Sequence, residues 1–392
     1  MNVLLVISLA SLIIFIGFLG DLAFKKLRFP DILVLLLIGY LIVFFLKTNE
    51  YLVLNEYMPL AATISLIIIL FEGGLTLNIS STRKILKDSI LMAISYYSIS
   101  FLLIYISLYL LKINDLSEFL YASILSSPSV AIVISLVNRS NMDDEKRHKY
   151  ILYATILDLI SIIVTISILQ YYPITFNNLI KVVASIISVI IFQSFIGGLA
   201  GILWTEILRK IGNIDLSYML TLAYVLAIYS ISSLLWSDGM ITVIVIGLIL
   251  ANSNKIRNIL GINNFDVDNN IMRFNREVSF FFRTIIFVSI GSMLYIARIN
   301  FHLLLIILII LVIIYVVQIL TTKFVENSII NRHFHYLMPR GLTQITMAIL
   351  AYSSGYKNYD IIYVVTFVII ITNIITPLFI YFSKIKNILK NK

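Results

Sequence analysis

Residues 149–170 read KYILYATILDLISIIVTISILQ. This is a run long enough to cross a bilayer, and it carries one carboxylate, Asp158, nine residues from Lys149 and twelve from Gln170. At about 1.5 Å of helical rise per residue, Asp158 lies about 13 Å or more from either end. That is close to the middle of a hydrocarbon core roughly 30 Å thick. An Asp at this depth is costly. A chain that keeps one uses it for protons, ions or a substrate, or buries it neutral as a hydrogen-bonding link between helices.

The rest of the chain has the same character. Of its 392 residues, 60% are hydrophobic and 12% are charged, against about 25% charged in a soluble domain. The mean hydropathy is +1.01. The sequence therefore predicts an all-α polytopic membrane protein. The net charge of +9 is read as a signal of orientation and not of nucleic-acid binding. There is no cysteine, which excludes disulfides and thiolate metal sites. His148, His302, His333 and His335 all fall at the ends of apolar runs, which argues against a buried histidine metal centre. No resident cofactor is expected. No Lys or Arg precedes Lys25, so the first run is expected to be a span and not a cleaved signal.

Thirteen spans are expected, at about 3–22, 31–46, 57–76, 89–111, 117–137, 150–170, 178–207, 217–236, 239–252, 278–297, 302–322, 336–354 and 360–383. Twenty-two of the 29 Lys and Arg residues fall in alternate loops, beginning with Lys25, Lys26 and Arg28, and five fall in the other set. The positive-inside rule then places the N-terminus outside and the C-terminus in the cytoplasm. The longest loop, 253–277, is polar and cytoplasmic, with room for an interfacial helix. Short strings also recur in order. VLLLIGYLI at 34–42 resembles TVIVIGLIL at 242–250, with Gly39 matching Gly247. IIILFEGGLTL at 67–77 resembles TIIFVSIGSML at 284–294, with Gly74 matching Gly291. Pro128 and Pro339 form a third pair. The matched spans run in opposite directions, as in the inverted-topology repeats of secondary transporters. The expected organisation is a six-helix repeat over 1–175, a linker helix at 176–210 and a second six-helix repeat over 211–392. Gly197, Gly198 and Gly201 give the linker helix a small-residue face for close packing, against lipid or a second subunit.

Two spans carry a proline among small polar residues: Ser126-Ser127-Pro128-Ser129, and Pro339-Arg340-Gly341 followed by Thr343 and Gln344. Proline frees a carbonyl one turn earlier. In a bilayer such groups are tolerated where protein or a wet cavity satisfies them. Broken helices that cross near the midplane can offer oxygens to a cation; two ordinary proline kinks are the plainer reading. Glu72 reads either as a cation ligand or as a charge at a span end. Arg283 and Arg340 should each meet a carboxylate or helix C-terminal carbonyls. Asp158 and Glu72 are the candidate partners. Asn373 in the last span reads as a hydrogen-bonding link between helices.

Phe71-Glu72-Gly73-Gly74-Leu75, Ser126-Ser127-Pro128, Asp158 and Pro339-Arg340-Gly341 together resemble the monovalent cation:proton antiporters, specifically the NhaP-type sodium/proton antiporters. The span count, topology and linker helix fit the same family. There are departures. The family's Thr-Asp-Pro is here Ser126-Ser127-Pro128, without a carboxylate. Its Glu-Ser-x-x-Asn-Asp is here Tyr153-Ala154-Thr155-Ile156-Leu157-Asp158, so only the last Asp remains. The lost Glu is the family's usual partner for the Arg at position 340. The serine-rich fifth span is similar to the potassium-efflux branch.

The resemblance implies exchange of Na⁺ (or Li⁺) for H⁺ across the cell membrane by alternating access. Asp158 would carry a proton or ligate the metal cation, never both. Ser126, Ser127, Thr155 and Glu72 would supply further oxygens. Pro128, Pro339, Arg340 and Arg283 would organise the broken helices. With a single central carboxylate the exchange is expected to be electroneutral. The expected partners are a monovalent cation, the proton, membrane lipid and a second copy of the chain. K⁺/H⁺ exchange is the first rival, and a non-transporting sensor on the same scaffold is the second. An inverted repeat disfavours a channel. The lack of a nucleophile–base pair or metal cluster disfavours an enzyme.

Overall fold

In hydrocarbon every backbone N–H and C=O must find a partner inside the chain, so apolar runs of this length fold as helices. The computed structural model describes residues 11, 15, 17–18, 31–46, 51–77, 83–111, 117–138, 144–171, 176–211, 217–236, 239–259, 261, 270–295, 297, 300–325, 339–356 and 358–390. The expected first span, 3–22, falls almost wholly outside them. The described residues form helices and no strands. In chain order the helices are α1 (Asp31–Leu46), α2 (Tyr51–Thr76), α3 (Arg83–Leu110), α4 (Ser117–Leu125), α5 (Val130–Asn138), α6 (Asp144–Gln170) and α7 (Phe176–Ile211). They continue with α8 (Ser217–Trp236), α9 (Met240–Ala251), α10 (Ser253–Ile259), α11 (Asn270–Leu294), α12 (Phe301–Val325), α13 (Leu342–Ser353) and α14 (Asp360–Lys390). Among the described residues nine stretches are long and apolar enough to cross a membrane. The α9–α10 pair, bent by 85°, would make a tenth.

Several helices outrun the expected spans. α11 begins at Asn270, eight residues early, and α14 continues to Lys390. The first two turns of α11 carry Arg273, Asn275, Arg276 and Glu277. Such polar turns depress hydropathy without ending a helix. The expected 253–277 loop therefore shrinks, and it contains α10. There the buried Arg257 donates to Glu206 of α7 at 2.9 Å.

The chain divides into two compact units, each drawing on both halves of the sequence. The first comprises 1–62, 87–162 and 283–392, and the second 63–86 and 163–282. Helices α2, α3, α6 and α11 each contribute residues to both units.

In the first unit α1 crosses α11 at glycines. Gly39 lies against the backbone of Val288 and Ser292, and Gly291 lies against Leu36. A Cβ on either would overlap main-chain atoms. Arg283 of α11 also reaches the first residue of α1, with Nη2 2.8 Å from Asp31 Oδ2. Its expected partners were Asp158 and Glu72; the structure shows the ion pair with Asp31. Asp31 also caps its own helix, accepting from Ile32 N at 3.0 Å. Lys149, at the start of the quoted stretch, pairs with Asp88 of α3 at 3.0 Å.

In the second unit α2 crosses α9 in the same manner. Gly74 lies on Ile244 and Gly247, and Gly247 lies on Phe71 and Gly74. The small-residue face of α7 is used within the chain: Gly197 packs on Thr242 and Val245, and Gly201 on Ile249. Gln193 of α7 accepts from Ile241 N at 2.9 Å, satisfying a donor at the start of α9. Trp204 stacks on Tyr224 of α8 with ring centroids 4.1 Å apart.

Candidate functional site

The two proline-bearing stretches are helix breaks. The first separates α4 from α5 at 126–129, and the second, 339–341, leads into α13. They meet at backbone level, where Ser129 N donates to Pro339 O at 2.8 Å. The close approach needs Gly341, since a Cβ there would fall within 2.8 Å of both Cβ and Oγ of Ser129. α14 holds the second break from behind. Asn373 Nδ2 donates to Arg340 O at 2.7 Å, and Arg340 N donates to Thr372 Oγ1 at 3.2 Å.

Asp158 of α6 stands against this crossing and is 4% exposed. Its Oδ2 accepts from Thr343 Oγ1 at 2.8 Å and lies 3.5 Å from Val130 N. Its Oδ1 accepts from Gln344 Nε2 at 3.1 Å and from Ser127 Oγ at 3.3 Å. Val130 is the first residue of α5, and Thr343 and Gln344 lie in the first turn of α13. The carboxylate thus faces two helix N-termini, where a negative charge is favoured. The opposite polarity is met by a cation. Arg340, fully buried, donates to Leu125 O, the last carbonyl of α4, from Nη2 at 2.8 Å and from Nε at 3.3 Å. Its Nη2 also lies 3.5 Å from Tyr96 Oη. Tyr96 in turn meets Tyr153 edge-on, centroids 6.3 Å apart. Tyr153 is the residue standing where the resembled family has its Glu.

Of the expected site residues, Ser127 therefore reaches Asp158. Ser126 Oγ donates to Ala122 O, in the last turn of α4, at 2.5 Å. Thr155 Oγ1 likewise donates to Ile151 O at 2.7 Å. Glu72 belongs to the second unit, where Arg276 Nε is 3.6 Å from its Oε1. Thr343 and Gln344 join the site without having been expected there. Their sequence signal was position, one turn beyond Pro339-Arg340-Gly341. Two carboxylate oxygens, two hydroxyls and the Ser127 carbonyl converge in this buried place. Carboxylate and carbonyl oxygens suit hard cations, and rings of such oxygens replace the hydration shell of a monovalent ion.

A family model described as "Sodium/hydrogen exchanger, transmembrane" matches residues 10–382. The chain belongs to the sodium/hydrogen exchanger family. It is accordingly a multi-pass membrane transporter of the cation/proton exchange class and not an enzyme. Two solved structures share the fold. One is the sodium proton antiporter MjNhaP1 from Methanocaldococcus jannaschii at pH 8, with 22% identity, TM-score 0.72, and coverage of 96% of this chain and 99% of that one. The other is an electron-microscopy structure of MjNhaP1 from the same organism, with 20% identity, TM-score 0.74, and coverage of 96% and 95%. No curated protein matches the chain.

Proposed function

We propose that this exchanger moves Na⁺ or Li⁺ against H⁺ across the cell membrane, with Asp158 as the shared proton and cation site. The observation that carries the reading is the single buried carboxylate ringed by Ser127, Thr343 and Gln344 at the crossing of two broken helices. A proton on Asp158 removes its charge, and a cation replaces that proton; one carboxylate cannot hold both. One cation then exchanges for one proton, so the cycle is electroneutral. Ser127, which brings a hydroxyl to the carboxylate in place of a second carboxylate, supports a second reading in which K⁺ is the cation.

The wider organisation follows the same reading. Gly39 was matched to Gly247 and Gly74 to Gly291. Under that matching the α1–α11 crossing becomes the α9–α2 crossing, which supports inverted repeats over 1–175 and 211–392. Ile187, Ile191, Phe195, Leu199 and Leu203 of α7 are exposed, which fits contact with lipid or a second copy in a homodimer.

The test is proton flux in proteoliposomes under imposed gradients of Na⁺, Li⁺ and K⁺ in turn. Na⁺ or Li⁺ should drive flux with no net current at zero potential, and Asp158→Asn should abolish it while the protein still elutes as a folded species. Flux that survives Asp158→Asn would sink the assignment, a current would sink electroneutrality, and flux with K⁺ alone would move the choice to the second reading.

A further inference from the structure

Gln344 makes an arrangement that capping alone does not require. Its Oε1 accepts from Gly341 N at 2.8 Å, which closes the first turn of α13. That bond fixes which way the amide points. Its Nε2 consequently faces the site, 3.0 Å from Ser127 Oγ, 3.1 Å from Asp158 Oδ1 and 3.2 Å from Ser127 O. Three oxygens of three kinds surround one nitrogen: a hydroxyl, a carboxylate and a backbone carbonyl. An amide nitrogen has two hydrogens, so it cannot serve three acceptors in full. A monovalent cation has no such directional limit and takes this kind of oxygen set.

We propose that the Gln344 amide nitrogen occupies the position at which the transported cation is coordinated, so that the side chain acts as a tethered competitor for it. The proposal rests on Asp158 being the cation site. A cation entering between Asp158 Oδ1, Ser127 Oγ and Ser127 O must displace the nitrogen. The amide oxygen cannot take its place as a ligand without giving up Gly341 N. Gln344 therefore weakens cation binding, and it holds Ser127 and Asp158 at coordinating separation when no cation is bound. It sets the concentration at which the exchanger responds.

Two variants separate competition from scaffolding. Gln344→Met keeps the length of the side chain and deletes its N–H donors. Gln344→Leu deletes the same donors with a branched side chain and adds no charge beside Asp158. In proteoliposomes, with the cation that drives the parent, both should lower the apparent KM for that cation. The expected change is roughly five- to tenfold, the worth of about one net hydrogen bond. A residue with a purely structural role would instead lose maximal rate and raise KM. An unchanged or raised KM in Gln344→Met overturns the proposal. If that variant does not fold, Gln344→Leu decides on the same criterion. The parent and Asp158→Asn, run alongside, keep the two failures apart. No cation-driven flux in the parent, or flux that survives Asp158→Asn, defeats the reading of the site and this proposal with it. Normal exchange in the parent, lost in Asp158→Asn, with no fall of KM in either Gln344 variant defeats this proposal alone.

Discussion

Arg340 and Asp158 divide the crossing between them by charge. The guanidinium sits on the last carbonyl of α4, and the carboxylate sits on the first turns of α5 and α13. Each is placed where the helix dipole favours it. Arg340 gives two donors to one carbonyl oxygen and a third contact to Tyr96. A lysine ammonium is a compact point charge without that planar fork. Arg340→Lys should therefore lose about 1.5–3 kcal/mol, the worth of a charge-assisted hydrogen bond, read as a lower thermal midpoint in detergent. Tyr96→Phe should cost less, because its contact is long at 3.5 Å. A lysine variant as stable as the parent would show that the fork is dispensable. At this scale the sequence was partly legible. Asp158 stood out because a mid-span carboxylate is expensive, and the break at Pro128 carried Ser127 with it. Thr343 and Gln344 were visible as polar neighbours of the second break but were not assigned to the site, since spacing alone does not tell which neighbour a polar residue faces across a break. Ser126 and Thr155 turn their hydroxyl hydrogens away from Asp158. A serine or threonine inside a helix or just past its end can satisfy itself on the carbonyl one turn back, as Thr155 and Ser126 do here.

Helices in lipid gain nothing from hydrophobic exclusion against one another, and small residues at crossings let backbones touch. The α1–α11 and α2–α9 contacts are built in this way. Gly291→Ala would drive a methyl into the main chain of Leu36, and Gly247→Ala would drive one into Phe71. Each should destabilise by about 1–3 kcal/mol, the usual cost of overpacking. Gly198→Ala, with nothing within 4 Å of its would-be Cβ, is the control and should be near neutral. Equal melting of all three would deny that the glycines set the approach. Element positions were legible from hydropathy, and the breaks from their prolines. Helix ends were less so: α11 and α14 carry polar turns past the apolar run, and a hydropathy reading stops where the lipid would, not where the hydrogen bonds do. The partner of Arg283 was also hidden, because Asp31 lies 252 positions away in sequence at the very start of a helix.

For the whole molecule, the uneven distribution of Lys and Arg predicts a cytoplasmic C-terminus. The chain has no cysteine, so a single Lys386→Cys substitution gives an unambiguous reporter. An impermeant maleimide should label it in inside-out vesicles and not in intact cells; labelling from outside would reverse the orientation. One feature of the crossing bears on how such a molecule varies over time. The bond between Ser129 and Pro339 joins main-chain atoms only. No substitution of the residue at 339 can delete its carbonyl, and among substitutions at 129 only proline removes the donor. The bond itself is therefore nearly blind to the side chains at 129 and 339, and the sequence constraint on the junction falls on Gly341, where a Cβ would meet Ser129. Apart from Gly341, a substitution of a neighbouring side chain leaves both partners of this bond in place. A fold shared with MjNhaP1 at 20–22% identity is what a centre tied by its peptide groups would leave behind.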